Sequence, residues 1–285
     1  MENIKKKQKK TSFWFKKLRD EICKELELLE KKYANENHLF QRKLWKRMPK
    51  EKKSHGGGEI SVMRGKIFEK AGVNISTVYG SFSQEFRGKI PGTENNPSFW
   101  ASGISVVIHP KSPLIPSVHM NTRHIVTSKS WFGGGADITP SHKYSNESVR
   151  IAKLFHKEFK TVCDSYEKGS YKKYKKWCDK YFYLPHRNES RGLGGIFYDY
   201  LESDSWEKDF TFTKNVGLTF LNTYKTIVDI TANKKWTDSD LRAQLLRRSR
   251  YTEFNLLYDR GTKFGLKTDG NPDAILMSLP PSVSW

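Results

Sequence analysis

Cysteine is scarce in this sequence, with 3 in 285 residues. Cys23, Cys163 and Cys178 are too few and too unevenly spaced for a disulfide framework, and no Cys-x-x-Cys pair suggests a zinc cluster. A reducing compartment, the cytoplasm, is expected. Long apolar runs are also missing: the longest, inside GISVVIHP, is far shorter than the ~18–20 residues that span a bilayer. No transmembrane segment is expected. The opening MENIKKKQKKTSFWFKKLRDEI is basic but has no apolar stretch or small-residue cleavage site, and acids arrive at Asp20 and Glu21. That argues against a secretory signal and a transit peptide. Neither the phosphate-loop spacing nor a strand, Gly-x-Gly-x-x-Gly, helix succession occurs, so a doubly wound nucleotide fold is disfavoured.

Basic charge is plentiful. Lys and Arg number 51 against 31 Asp and Glu, for a net charge of +20. Residues 1–55 hold 18 of those bases and 8 of those acids, half of the excess. Such a balance attracts polyanions of several kinds, whether nucleic acid, an anionic membrane surface or a small multi-carboxylate ligand, or it reflects a generally Lys-rich composition. With 13% aromatic residues and 8 Trp, the chain has the apolar area to fold.

Periodicity organises the rest. Phe15, Leu18, Ile22, Leu26, Leu29 and Tyr33 step by three or four, which predicts an amphipathic helix. KRMPKEKKSHGGGE reads as a surface connection. Over Ser102–His109 the alternation sets Ile104, Val106 and Ile108 on one face and Ser105, Val107 and His109 on the other. After PKSPLIPS, Val118, Met120 and Thr122 oppose His119, Asn121 and Arg123. Paired, these strands present an apolar face and a polar one, the latter either solvated or a ligand floor. Residues 146–167 predict a helix with the stripe Val149, Ala152, His156, Phe159, Cys163 and Tyr166, in which His156 is either a satisfied core histidine or a ligand. Helix is also expected over 205–232 and 241–248, and strands over YTEFNLLYDRG and AILMSLPPSVSW. Without regular βαβ alternation, the fold class is α+β: one domain, a large and mainly antiparallel sheet with helices on both sides.

Two strings carry chemistry. WFGGGADITP, residues 131–140, reads as a tight turn delivering Asp137, structural or catalytic. KKWCDKYFYLPHRNESRGLGGIFYDYL, residues 175–201, sets aromatic faces beside His186, Arg187 and Arg191, a composition suited to a flat ligand bearing carboxylates.

With GGGEISVMRGKIFEKAGVN, GISVVIHPKSPLIPSVHMNTR and RYTEFNLLYDRGTKFGL before ILMSLPP, these strings occur in the order found in the oxygen-dependent coproporphyrinogen III oxidases, which the chain resembles over residues 12–285, after a basic tail of residues 1–11. The resemblance implies a cytoplasmic homodimer, joined through the C-terminal segment 251–285, that acts in haem biosynthesis. It would convert two propionates of coproporphyrinogen III to vinyl groups with dioxygen as co-substrate, giving protoporphyrinogen IX. It implies substrate contacts at Ser105, at Asn121, Thr122 and Arg123, and at Asp269, Gly270 and Asn271, where the family commonly has Gly-Gly-Arg. His119 would be the proton donor, and Asp137 would hold the pyrrole N–H groups. His109, His119, His156 and His186 match a divalent metal site, manganese, described for some bacterial members, while many members work with no metal or organic cofactor. Arg123, Arg187, Arg191, Arg250 and Arg260 are candidate rim cations for propionates. Two other classes compete: a non-catalytic tetrapyrrole carrier, which needs no His119 beside Asp137, and a basic nucleic-acid-binding protein, for which no zinc-finger, homeodomain or RNA-recognition pattern is present.

Overall fold

The computed structural model of the protein describes residues 2–47, 55–267 and 270–285. Helix α1 (Glu2–Ala34) turns its stripe of Phe15, Leu18, Ile22, Leu26 and Leu29 inward, and all five are buried. The basic opening over residues 2–11 is the first part of this helix. Six strands follow: β1 (Gln41–Lys46), β2 (Gly56–Met63), β3 (Phe68–Ser81), β4 (Ser98–Pro110), β5 (Ser117–Val126) and β6 (Ser130–Thr139). Residues 48–54 of the expected connection lie outside the described residues, while Gly56, Gly57 and Gly58 belong to β2.

The chain continues through α2 (Asn146–Tyr166), α3 (Ser170–Tyr181), a short hairpin of β7 (Tyr183–Leu184) and β8 (Glu189–Ser190), then β9 (Gly195–Leu201). It closes with α4 (Trp206–Thr231), α5 (Asp238–Leu257), α6 (Arg260–Lys267) and α7 (Pro272–Leu276). The main sheet has seven strands in the order β1-β2-β3-β4-β5-β6-β9, all pairs antiparallel. The α+β fold with helices on both sides of an antiparallel sheet is therefore the observed one.

One sheet face carries Val73, Ile104, Val106, Ile108, Val118, Met120, Ala136, Ile138 and Ile196 against α1, α2 and α4, and this is the main core. One carboxylate at its edge is fully satisfied. Glu30, fully buried, accepts from the backbone N–H groups of Lys66 at 3.0 Å, Ile67 at 2.9 Å and Phe68 at 2.6 Å, which fixes the turn into β3. A smaller apolar cluster of Cys178, Phe182, Leu184, Phe197 and Phe254 lies apart from it and walls the polar face.

Three expectations change. WFGGGADIT is not a turn but strand β6, because its glycines lie between two closely paired neighbours rather than at positive φ. The segments read as C-terminal strands are not strands: YTEFNLLYDRG is the end of α5 and the start of α6, because Tyr251, Phe254 and Asn255 are buried at helical spacing, and AILMSLPPSVSW begins in α7 and continues as irregular chain after Leu276. In α2, Ala152, Phe159 and Cys163 of the expected stripe are buried, Val149 is exposed, and Ile151, Phe155 and Val162 join the buried face.

Candidate active site

Strand alternation assembles the site. Ser105 on β4 is paired with Asn121 on β5, Val107 with His119 and Gly103 with Arg123. On the far side of β5, His119 is paired with Asp137 on β6, Asn121 with Gly135 and Arg123 with Gly133. Ser105, His119, Asn121, Arg123 and Asp137 therefore share the face opposite the main core. Phe197, paired with Gly135, extends that face onto β9.

A continuous hydrogen-bond chain links His119, Asn121, Arg123 and Asp137. Ionised Asp137 accepts from His119 Nδ1 at 2.9 Å, which leaves Nε2 as the lone-pair side of the ring, where Asn121 Nδ2 donates at 3.3 Å. Asn121 Oδ1 accepts from Arg123 Nη1 at 3.0 Å, and Arg123 Nη2 pairs with Asp199 Oδ2 at 2.8 Å. The other oxygen of Asp137 accepts from Arg191 Nη2 at 2.6 Å, while Arg191 Nη1 donates to Asn255 Oδ1 at 3.2 Å. Arg191 is 1% exposed and Asp137 2%. The guanidinium is stacked by Phe182, Tyr251 and Phe254, with ring centres 4.0, 4.3 and 4.8 Å away. Burial alone would raise the pKa of Asp137, but Arg191 and His119 more than offset it and hold the carboxyl below its usual range.

Thr122 departs from expectation. It lies on the opposite face of β5, fully buried, because side chains alternate across a strand, so its hydroxyl cannot meet a ligand on the polar face. Asp137 has both oxygens engaged at the bottom of the face, one by His119 and one by Arg191.

The four histidines do not gather. His109 Nε2 donates to Ser278 O at 3.0 Å, with Ser117 Oγ donating to its Nδ1 at 3.4 Å, and burial pushes its pKa down to about 3. His156 Nε2 donates to Leu193 O and accepts at Nδ1 from Tyr171 Oη, each at 2.9 Å, and burial lowers its pKa too. His186 donates from Nε2 to Glu253 and accepts from Tyr258 Oη, each at 2.8 Å. Among the described residues no group of three or more His, Cys, Asp or Glu side chains is placed to hold one metal ion. The expected metal set thus does not form a single centre, because each imidazole is committed to its own partner.

The rim arginines differ from one another. Arg187 donates to both oxygens of Glu253, at 3.0 and 2.7 Å, and Arg250 reaches Glu189 at 3.0 Å and Glu253 at 3.3 Å. Arg260 instead lies over the rings of Tyr181 and Phe197, 5.1 and 5.8 Å from their centres, which carries a cation over the aromatic end of the face. Arg123 lies on the face itself.

Of the C-terminal triplet, Asp269 lies outside the described residues. Gly270 N donates to Gly265 O at 2.9 Å, and Asn271 Oδ1 accepts from Ala274 N at 3.1 Å, capping α7. The amide at 271 thus does a job that a guanidinium cannot. Sequence reasoning passed over Asp199, whose parity with Phe197 in GGIFYDYL was the available signal, and Asn255, which no local pattern marks.

The sequence profile of the coproporphyrinogen III oxidase family matches residues 10–285. Proteins named oxygen-dependent coproporphyrinogen-III oxidase are similar throughout. The one from Rickettsia bellii (strain RML369-C) is 55% identical over 285 residues, covering 99% of each chain. Those from Rickettsia rickettsii (strain Sheila Smith) and Rickettsia akari (strain Hartford) are each 56% identical over 279 residues, covering 96% of this chain and 97% of theirs.

Proposed function

The chain belongs to the coproporphyrinogen III oxidase family, and from that premise we propose how its own residues carry the reaction. The activity is the oxygen-dependent oxidation of coproporphyrinogen III in haem biosynthesis. Each turn at a propionate removes one hydrogen from the carbon next to the pyrrole and the carboxylate from the next carbon. A vinyl group and carbon dioxide result, while dioxygen takes up the two electrons, the proton from that carbon and one further proton from solvent as hydrogen peroxide. The two electrons come from the propionate chain, and the electron-rich pyrrole next to it eases their loss while the ring stays at the porphyrinogen level. The protein is left to bind, orient and exclude water.

One observation supports this division of labour: Ser105 on β4 shares one sheet face with His119, Asn121 and Arg123 on β5, the latter three joined by hydrogen bonds and backed by the Asp137–Arg191 pair. In our reading, Arg123 receives a propionate by a charge-assisted contact and Ser105 and Asn121 add hydrogen bonds to it. Asp137 fixes the His119 ring so that Nε2 faces the substrate, takes up a proton there and returns it as imidazolium. Arg260, held over Phe197, supplies a second propionate cation where the usual arginine at 271 is replaced by the capping Asn271.

Two broader features belong to the same reading. Leu246, Leu256 and Leu257 on α5 and Leu266 on α6 are exposed, an apolar surface suited to dimer formation through the C-terminal segment. Cytoplasmic placement fits three cysteines that are all buried and unpaired; among the described residues no helix is long and apolar enough to cross a membrane.

The test is incubation of purified protein with coproporphyrinogen III, with and without dioxygen, followed by chromatography of the oxidised porphyrins. Loss of two carboxyl groups only with dioxygen is expected. Binding without conversion would instead favour a tetrapyrrole carrier.

A further inference from the structure

The pairing of β6 with β9 is irregular at one point, and the irregularity serves Arg123. Gly134 is paired with Tyr198 but Phe132 with Leu201, so Asp199 and Tyr200 together stand opposite Gly133. This is a β-bulge, a device that re-aims a side chain and recurs beside active sites. Tyr200 takes φ 53°, a left-handed conformation unfavourable for a bulky residue and found where surrounding structure enforces it. Its N–H donates to Asp199 Oδ1 at 3.1 Å, which leaves Oδ2 to meet Arg123 Nη2 at 2.8 Å. Gly133 completes the arrangement: a Cβ there would lie 2.5 Å from Asp199 Oδ1 and 2.8 Å from Arg123 Nη2, so a side chain would displace the pair.

We propose that Asp199 is a positioning residue for substrate binding, which with Asn121 clamps the Arg123 guanidinium so that its free N–H groups meet a propionate in one orientation. A guanidinium has five N–H donors. The two contacts use one on Nη1 and one on Nη2, leaving three for the substrate. The extra residue in β9, the left-handed tyrosine and the missing side chain at 133 are three separate departures from regular strand structure, and all converge on this one ion pair. Asp199 is also tied to its own backbone neighbour, which suits a fixed support and not a carboxylate that leaves when substrate arrives. The proposal rests on the reading of Arg123 as a propionate contact.

The test uses steady-state kinetics of the full-length protein, with melting temperature as the fold control. Asp199→Ala should raise KM about tenfold and lower kcat by less, as expected when a charge-assisted contact loses its alignment. Asp199→Asn keeps an acceptor for Nη2 and should recover most of that loss, whereas Gly133→Ala should resemble Asp199→Ala. In an Arg123→Lys background, removing Asp199 should change KM less than about twofold, because the clamped fork is already gone. A lower KM in Asp199→Ala would show that the carboxylate competes with substrate and overturn the proposal. So would a change in melting temperature with KM unaltered, or an undiminished effect in the Arg123→Lys background. If Arg123→Ala leaves KM unchanged, the propionate reading itself fails; if Arg123→Ala raises KM while Asp199→Ala does not, this proposal alone fails.

Discussion

Strand β5 allows two regions to be compared residue by residue. Met120 enters the core, and its neighbours His119 and Asn121 enter the site. The core face obeys simple rules: apolar residues in regular alternation, covered by helices packed through their apolar stripes. The site face breaks them, with a glycine-rich strand, a bulge, a left-handed tyrosine and an ion pair with almost no solvent contact. Side chains facing the core are chosen by volume, and those facing the site by the partners they hold.

The largest expected effect lies where the two sets of rules meet. Asp137→Asn should reduce turnover at least about 100-fold, as loss of a positioned charged group does. It should also destabilise the fold by about 3–5 kcal/mol, because Arg191 keeps its charge in the interior without a counter-ion. Chemical denaturation and single-turnover assays read the two losses separately. An Asp137→Asn, Arg191→Met double variant should regain stability but not activity, and recovery of activity would remove Asp137 from the reaction.

Next in size, Met120→Ala should cost about 2–5 kcal/mol through lost burial and the cavity left behind. The kcat and KM of the folded fraction should stay close to wild type. Altered kinetics with little loss of stability would show that the faces are not separable.

Acid should distinguish the two covers. Arg187 above all, with Trp285 and His186, overcomes burial and holds the Glu253 carboxyl at about 2 against its usual 4.5. Because the folded pKa is the lower one, this contribution is complete above about 4.5 and is lost as pH falls toward about 2. The gap in melting temperature between wild type and Glu253→Gln should therefore close across that window. The gap for Met120→Ala should not, and a Glu253→Gln gap that stays constant would mean that the carboxylate charge is immaterial.

The smallest effect is expected for Ser105→Ala. One neutral hydrogen bond is worth about 0.5–1.5 kcal/mol, which corresponds to roughly a two- to tenfold rise in KM at an unchanged melting temperature. A larger loss would make Ser105 more than a binding contact.

How legible each region was follows from the same contrast. The alternation in β4 and β5, the stripe of α1 and half of the stripe of α2 could be read directly, because burial of one face imposes a period. GGG in β6 reads as a turn, because what makes it a strand is the close approach of β5 and β9, which no local window contains. In YTEFNLLYDRG a chance alternation hid a helix whose buried residues follow a different spacing. Ser105, His119, Asn121 and Arg123 could be placed on one face from parity alone. The Asp137–Arg191 pair and the Asp199 clamp could not, because each depends on a contact between strands or loops far apart in the chain. Thr122 shows the opposite error: parity already put it in the core, and only the family resemblance put it in the site.

The order of strands in the sheet also sets a timetable. β1 to β6 lie side by side in the order in which they occur along the chain, so their pairings close by short local steps. β9, at the edge beside β6, is separated from it along the chain by α2, α3 and the β7–β8 hairpin. Arg191 reaches Asp137 across 54 residues, and α5 brings its aromatic rings later still. Contacts between distant parts of a chain form late, because closing a long loop costs entropy before any contact repays it. A refolding chain should therefore regain the fluorescence of its core before any catalytic competence, with a lag set by the docking of β9 and α5.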